Sequence, residues 1–387
     1  MPANPELHQA LTQARAETDN LFNLVNPDAL YERPIPERHR IIFYLGHLEA
    51  FDWNLIGRAL DKPAFHAGFD HLFSFGIDPP PGELPSDQPS DWPKESEVRD
   101  YSARIRGELD PLLAHTPEQL LHVAIEHRLM HAETFAYMLH HLPFEQKTPP
   151  SSHAVAPAGP TPQNRMVEIP AGTATLGRTH AEGFGWDNEF EKHYVEVPAF
   201  AIGGQKIANG EYLEFVKAGA TAPHFWACHE GEWFHRGMFE DIRLPLDWPV
   251  YVSYEQAQAY ARWKGKSLPT EPQFHRAAYD GGSFAGENVN FRSWDPEPVT
   301  ASQPNSRGVS QLVGNGWEWT STRFEPFAGF QQFSFYPGYS ANFFDGQHYV
   351  LKGGSPRTAA ALLRPSFRNW FRPGYPYIYA TFRLVEN

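Results

Sequence analysis

Apolar residues return at helical intervals along the first 147 residues, and Pro-rich segments interrupt them. The pattern predicts four helices, at residues 4–24, 37–60, 96–113 and 116–142. A long loop, residues 64–93, joins the second predicted helix to the third. Four helices with one long connection predict a four-helix bundle.

Beyond residue 163 the apolar segments become short, and Gly, Pro and Asn separate them. Strand-like segments occur at residues 166–170, 174–177 and 194–197, and helices are predicted at residues 208–218, 253–264 and 271–279. Because regular strands are few, we expect much of this region to be ordered loop. The fold class predicted for the whole chain is therefore α+β in two domains.

An uncharged segment rich in Pro, Ala and Ser, residues 148–163, lies between the two patterns. Such a composition is typical of a linker. It predicts a helical domain at residues 1–147 and a second domain at residues 164–387.

Three histidines of the helical domain form the candidate metal site. His127 and His131 stand four residues apart, so they share one helix face, and Glu133 follows them. His47 lies in another apolar helix. Imidazole is a ligand for Zn, Cu, Fe and Ni, and three protein ligands leave positions open for chemistry. The alternative is that these are ordinary surface or core histidines.

The amino-acid composition of the chain limits the kinds of molecule that it can bind. Lys and Arg total 32 against 46 Asp and Glu, which gives a net charge of −14, and no basic run occurs. Nucleic acid and anionic membranes are therefore poor partners. Cys228 is the single cysteine, so no intramolecular disulfide can form. The first 30 residues lack the apolar core of a signal peptide, and no apolar run reaches membrane-spanning length, so we expect a soluble cytoplasmic protein.

Ordered motifs in the second domain resemble the formylglycine-generating-enzyme (sulfatase-modifying factor) fold, which is related to C-type lectins. These motifs are Gly172-Thr-Ala-Thr-Leu-Gly177, Asn209-Gly-Glu-Tyr-Leu-Glu-Phe215, Leu268-Pro-Thr-Glu271, Gly314-Asn-Gly-Trp-Glu-Trp-Thr320, Lys352-Gly-Gly-Ser355 and Phe382-Arg383-Leu384. The first domain resembles a DinB-type four-helix bundle through its His47 and His127-x3-His131-x-Glu133 pattern. Together, in this order, the two resemble the EgtB group.

That resemblance implies a non-haem iron(II) enzyme of ergothioneine biosynthesis, which joins a sulfur donor to C2 of the hercynine imidazole using O2. It implies that His47, His127 and His131 hold the iron, with Glu133 supporting the site or the helix packing rather than serving as a ligand. Iron(II) is thus the expected cofactor, and hercynine, a donor and O2 are the expected small-molecule partners.

The same resemblance suggests the hercynine contacts. Asn369 is expected to bind the polar end of hercynine, and Trp370 its trimethylammonium group by a cation–π contact. Tyr336 is the candidate proton donor and Tyr339 its pocket neighbour, although a tyrosine in this Pro-Gly turn can also be a packing residue. Met130 takes the position before the second helix histidine, which is Gln in some relatives.

The positions expected to bind the donor differ from those of relatives that use γ-glutamylcysteine. Those enzymes have Asp where this chain has Phe371, and they have arginines in a loop that here, at residues 75–92, contains no Arg or Lys. Carboxylates such as Asp78 and Asp87, together with Trp92, suit a neutral, hydroxyl-rich donor. The chain therefore resembles the selenoneine synthase branch, which takes a selenosugar, although these residues can also form a solvated loop.

Three alternatives stay open to different degrees. One is an ergothioneine-type sulfoxide synthase that uses cysteine or another thiol. Formylglycine generation needs a pair of cysteines, and the single Cys228 argues against it. The last is a lectin-like binding module without catalytic activity, which has no need for three converging histidines.

Overall fold

A computed structural model describes residues 5–75, 83–279 and 287–386. The chain divides into two compact units, Met1–Ser151 and Ser152–Asn387. The division falls inside the Pro-rich segment, where the apolar periodicity changes.

Helices build the first unit. Their bounds are α1 Pro5–Phe22, α2 Ile41–Asp52, α3 Ala67–Phe75, α4 Glu95–Leu109 and α5 Glu118–His140. A π-helical turn, Trp53–Gly57, continues α2. Every residue of α2 except Phe51 is buried, as expected for a helix that is apolar on all sides.

Helix α3 lies inside the segment that the sequence pattern predicted to be a loop. Its nine residues are too few to show a clear helical period. Tertiary contacts stabilise it instead: the Asp70 carboxylate accepts hydrogen bonds from the backbone N–H of Phe65 (2.7 Å) and from the hydroxyl of Tyr101 (2.7 Å). The Phe73 ring is fully buried against α2.

The described residues of the second unit form short strands and three α-helices. The strands are β1 Met166–Ile169, β2 Gly172–Leu176, β3 His193–Val197, β4 Phe200–Gly203, β5 Trp226–His229, β6 Glu232–Arg236, β7 Asp241–Arg243, β8 Trp317–Arg323, β9 Tyr349–Lys352, β10 Asn369–Phe371, β11 Ala380–Thr381 and β12 Val385–Glu386. The helices are α6 Asn209–Lys217, α7 Tyr254–Trp263 and α8 Glu271–Ala278. The three predicted helices and the three predicted strands of this region are all present.

The strands form four small sheets, in the orders β1-β4-β12, β10-β9-β8-β11, β2-β3 and β5-β6-β7. All the pairs are antiparallel except β8 with β11. An apolar cluster of β1–β4 residues with Phe274 of α8 forms a core beside them. A helical first unit and a mixed second unit confirm the predicted α+β class.

The Pro-rich segment is partly held by the second unit. The indole N–H of Trp248 donates to the Pro157 carbonyl at 3.4 Å, and a Cβ at Gly159 would lie 2.6 Å from an oxygen of Asp247. Within the described ranges, no helix is both long enough and apolar enough to cross a membrane.

We predict that Gly46→Ala destabilises the first unit. A Cβ at Gly46 of α2 would lie 2.6 Å from the buried ring of Phe73, so α3 must move. We expect a loss of about 1–3 kcal/mol from overpacking, measured as a lower urea midpoint for helix unfolding.

Gly107→Ala is the matched control for this prediction. Gly107 lies in α4, and a Cβ there meets no described atom within 4 Å. This variant should gain about 0.5–1 kcal/mol from helix propensity. Equal midpoints for the two variants would contradict the packing argument.

Candidate functional site

Helices α2 and α5 bring the three predicted histidines together. One ring nitrogen each of His47, His127 and His131 lies within 4.8 Å of the others. The Nε2 atoms of His47 and His131 are 3.2 Å apart. His127 and His131 lie one helical turn apart on α5, so both rings point towards α2.

Neighbouring groups orient these rings. The Nδ1 of His47 lies 2.6 Å from the Phe73 carbonyl. Since a carbonyl only accepts, Nδ1 carries the proton and the Nε2 lone pair faces the other histidines. The Phe51 ring stacks on His127 with centroids 3.4 Å apart and planes at 9°. The rings of His47 and His127 are therefore each held in place by a contact outside the cluster.

Burial keeps the three imidazoles uncharged. It lowers the pKa of His47 to about 4, and it lowers the pKa values of His127 and His131 well below the ordinary value of 6.5. Neutral imidazole is the form that coordinates a metal. Three neutral, converging nitrogens fit a divalent transition-metal ion with three protein ligands and further positions open.

Two other predicted residues lie beside this cluster on α5. Glu133 is buried, and its carboxylate is not among the atoms that converge with the three histidine nitrogens. Met130 is half-buried and precedes His131.

The second unit contains an aromatic cluster that includes three of the predicted site residues. Tyr339 stacks on Trp186 with centroids 3.9 Å apart, and its ring meets Trp370 edge-on at 5.5 Å. Tyr336 lies 5.7 Å from Tyr339 and 6.3 Å from Trp186, centroid to centroid. Trp186, in the segment before β3, is a member that the sequence reasoning missed.

The Trp370 indole has one face covered. Phe324 stacks on it in parallel, at 4.2 Å and 7°, so a cation has to approach the opposite face. Trp370 is the middle residue of β10, which pairs with β9. In an extended strand, neighbouring side chains point to opposite faces, so Asn369 and Phe371 share the other face. Phe371 accordingly stacks on Tyr375, at 5.3 Å and 12°.

Tyr336 is suited to donate a proton. Burial raises the pKa of its phenol to about 12, so the hydroxyl stays protonated at neutral pH. Its backbone N–H donates to the Phe333 carbonyl at 3.2 Å, which makes it part of a tight turn.

A short acidic turn, Asp187–Glu189, supports the aromatic cluster. The Ser340 hydroxyl donates to the Asp187 carboxylate at 2.6 Å. Glu189 is fully buried, and its carboxylate accepts from the guanidinium of Arg364 and from the hydroxyl of Ser366 at 2.6 Å. The turn thereby connects the tyrosine loop to the segment that leads into β10.

Two of the donor residues predicted from the sequence, Asp87 and Trp92, lie beside a pair of arginines. Asp87 and Trp92 are buried, and the Asp87 carboxylate accepts hydrogen bonds from Arg33, from Arg40 Nε at 2.9 Å and from the Trp92 indole at 2.7 Å. Burial opposes ionisation, but the Trp92 hydrogen bond and the two arginines lower the pKa of Asp87. The Asp87 carboxylate is thus paired with two arginines, and its contact with the donor, like that of Trp92 and Phe371, stays a prediction. Asp78 lies outside the described residues.

Two family models match the chain. The DinB superfamily matches residues 10–147, and the "Sulfatase-modifying factor enzyme 1-like domain" matches residues 152–387. The two matches together reproduce the order of domains that the sequence motifs predicted.

Individual relatives carry both parts. The chain is 33% identical to "Hercynine oxygenase" of Mycolicibacterium smegmatis, over 100% of this chain and 99% of that protein. It is 28% identical to "Ergothioneine biosynthesis protein 1" of Neurospora crassa, over 93% of this chain and 55% of the relative. The protein of the same name from Schizosaccharomyces pombe is 29% identical, over 94% and 54%. The chain therefore spans about half the length of these two fungal relatives.

We predict that Asp187→Ala destabilises the second unit by about 1–3 kcal/mol, because the buried Ser340 hydroxyl loses its acceptor. The backbone N–H of Phe333 loses the same acceptor, so the tyrosine loop should loosen. Urea unfolding followed by tryptophan fluorescence measures the loss. Asp345→Ala is the control, since exposed Asp345 bonds His348 and the nearby backbone N–H of Gln347, and its loss should cost less than about 1 kcal/mol.

Proposed function

This chain belongs to the EgtB-like family, in which a DinB domain precedes a sulfatase-modifying factor domain, and we propose that it joins a chalcogen donor to C2 of hercynine. In the balanced reaction, the C2–H of the imidazole and the S–H or Se–H of the donor are lost as a C–S or C–Se bond forms. O2 supplies one oxygen to the chalcogen and leaves with the other as water.

The observation that carries this proposal is the convergence of three buried, neutral histidine nitrogens within 4.8 Å. His47, His127 and His131 would hold iron(II), which, when bound, supplies the O2-dependent oxidation. A binding module needs no such site, because burying three polar rings in a helical core is costly unless they gain a partner.

For hercynine we propose the aromatic cluster. Its trimethylammonium group has no N–H to donate, so the face of Trp370 opposite Phe324 and the ring of Tyr339 are suitable contacts. The sequence-based assignments of Asn369 and of Met130 to hercynine binding stay predictions. Tyr336 is proposed as proton donor, because its phenol stays protonated at neutral pH.

For the donor we propose a neutral selenosugar. A donor with two carboxylates needs available guanidinium groups, since Arg recognises carboxylates by paired hydrogen bonds. Arg33 and Arg40, which lie beside the loop, are both bonded to the buried Asp87. Using them would leave Asp87 buried with fewer partners, so a dicarboxylate donor is disfavoured.

One observation favours a second candidate, a thiol with a single carboxylate such as cysteine. Arg38 is half-buried and donates to the Tyr137 hydroxyl at 2.7 Å. Burial first, and then the charges of His47 and Arg38, lower the pKa of His131, which indicates that this guanidinium lies near the histidine cluster. One arginine in that position suits one carboxylate.

Donor competition tests the proposed reaction. The protein is reconstituted anaerobically with iron(II) and given hercynine and O2 with a 1-selenosugar, a 1-thiosugar, cysteine or γ-glutamylcysteine, and products are identified by mass spectrometry. We expect a hercynine adduct with the mass of selenium and sugar. An adduct with cysteine alone would favour the second candidate.

His131→Ala is the control in the same experiment. It should retain the helical content but bind no iron at stoichiometric concentration and form no adduct, because a two-histidine remnant holds the metal weakly. Full turnover by this variant would contradict the metal assignment.

We predict that Trp370→Ala weakens hercynine binding about 5- to 30-fold, which corresponds to roughly 1–2 kcal/mol for a desolvated cation–π contact. Calorimetry with iron-loaded protein, without O2 or donor, measures the dissociation constant. Trp263→Ala is the control, because Trp263 is 43% exposed on α7 and contacts Phe215 and Lys264 instead. An unchanged affinity for the Trp370 variant would place the trimethylammonium group elsewhere.

A further inference from the structure

The two helices that supply the metal ligands have their main packing partners elsewhere. Helix α5 packs chiefly along α1, whereas α2 packs chiefly against α3 and α4, and direct contact between α2 and α5 is limited. A metal ion is sensitive to its ligand distances, which have to fall within about 0.2 Å of their preferred values. Some other contact therefore has to set the position of α2 relative to α5.

Arg128 makes that contact. It follows His127 directly in α5, and its side chain is almost fully buried, at 1% exposure. Its Nη2 donates to the backbone carbonyl of Leu48, the residue after His47, at 3.1 Å. A hydrogen bond between α2 and α5 thus lies one residue from a metal ligand on each helix.

Two carboxylates of α2 complete the contact. Arg128 Nη1 donates to Glu49 Oε1 at 3.0 Å, and Nη2 lies 3.0 Å from Glu49 Oε2. The same Nη2 donates to Asp52 at 2.8 Å. Paired contacts of this kind restrict both the distance and the angle between the two groups. They hold the planar guanidinium along the turn of α2 that begins at His47.

Helices α4 and α1 are joined to the same carboxylate through Arg106. Arg106 of α4 donates to Glu49 at 2.8 Å and makes two hydrogen bonds, each 2.7 Å long, to Asp19 of α1. Buried ion pairs add little net stability compared with apolar packing, and their best-attested use is to specify one register. We call the contacts of Arg128 with Leu48, Glu49 and Asp52 the Arg128 brace. It joins two helices that share little apolar surface, so a role in fixing their register fits.

We propose that Arg128 is a positioning residue, which sets the distance between His47 on α2 and the histidine pair on α5. The inference rests on the proposed metal-binding function. A helix rises 1.5 Å per residue, so even a small slide of α2 along α5 exceeds the tolerance of a metal–nitrogen bond. Arg128 acts through the backbone of α2 and through Glu49 rather than on the metal.

The test compares cobalt(II) binding by the full-length protein and by R128K. Lysine keeps the positive charge, but it cannot bond the Leu48 carbonyl and both Glu49 oxygens in one plane. We expect R128K to bind cobalt(II) about 10- to 100-fold more weakly, with a changed visible absorption spectrum. The spectrum reports ligand geometry, which a loss of stability alone does not alter.

R383K is the matched control. Arg383 is fully buried in the second unit, where it donates to Glu318 at 2.6 Å and to the Ser310 carbonyl at 3.0 Å. The R383K variant should have a lower melting temperature, but its cobalt(II) affinity and its absorption spectrum should equal those of the wild type. An equal loss of affinity in R383K would attribute the effect to general destabilisation and overturn the inference.

The outcomes separate this inference from the proposed function. If the wild-type protein binds no cobalt(II), the metal assignment itself fails. If the wild type binds one ion and R128K binds it equally well with the same spectrum, only the role of Arg128 is overturned. Should R128K not fold, E49Q and D52N decide by the same two measurements, because each keeps the side-chain shape and removes one carboxylate charge from the brace.

Discussion

The burial of three uncharged imidazoles between α2 and α5 is the constraint on which the first unit depends. Polar rings in an apolar core are costly unless each finds a partner. Contacts with neighbouring residues offset part of this cost. The Phe73 carbonyl accepts a hydrogen bond from His47, and the Phe51 ring stacks on His127. Because α3 presents Phe73, even this short helix contributes to the site. The Nε2 atoms of His47 and His131 lie 3.2 Å apart, so His131 can donate a hydrogen bond to His47 from this nitrogen, and a shared cation would take the place of that proton.

The histidine cluster could be predicted from the sequence because its signal is local. His127 and His131 share a helix face by their spacing alone, and His47 lies in a helix whose apolar pattern indicates burial. The brace at Arg128 was harder to predict, since a charged residue in an apolar helix does not reveal its partner. Asp187 was harder still, because Ser340, which it binds, lies 153 residues further along the chain. Helix α3 was missed because tertiary contacts rather than periodicity stabilise it.

The motifs by which the second domain was identified contain residues that stabilise its fold. Glu318, inside Gly314-Asn-Gly-Trp-Glu-Trp-Thr320, is fully buried and bonded to Arg383 and Lys206, each at 2.6 Å. Arg383 belongs to the closing Phe-Arg-Leu motif, so two of the motifs are partners in one ionic core. Such residues specify a domain with short strands and much loop. The groups that bear on function are instead the three histidines of the first unit and the aromatic cluster around Tyr339.

The loop before α4 shows that the charge of a ligand cannot be inferred from the charged residues of one segment alone. The ion-pair partners of those residues, which come from other segments, have to be known first. Its sequence contains only acidic charges at residues 75–92, which suggested a surface that repels carboxylates. In the structure, Asp87 is buried and neutralised by Arg33 and Arg40, which come from the segment before α2. Both arginines are bonded to Asp87, and this pairing supports the proposal of a neutral donor, because a second carboxylate would have to compete with Asp87 for them. The proposal therefore rests on these two ion pairs and not on the acidic charge of the loop.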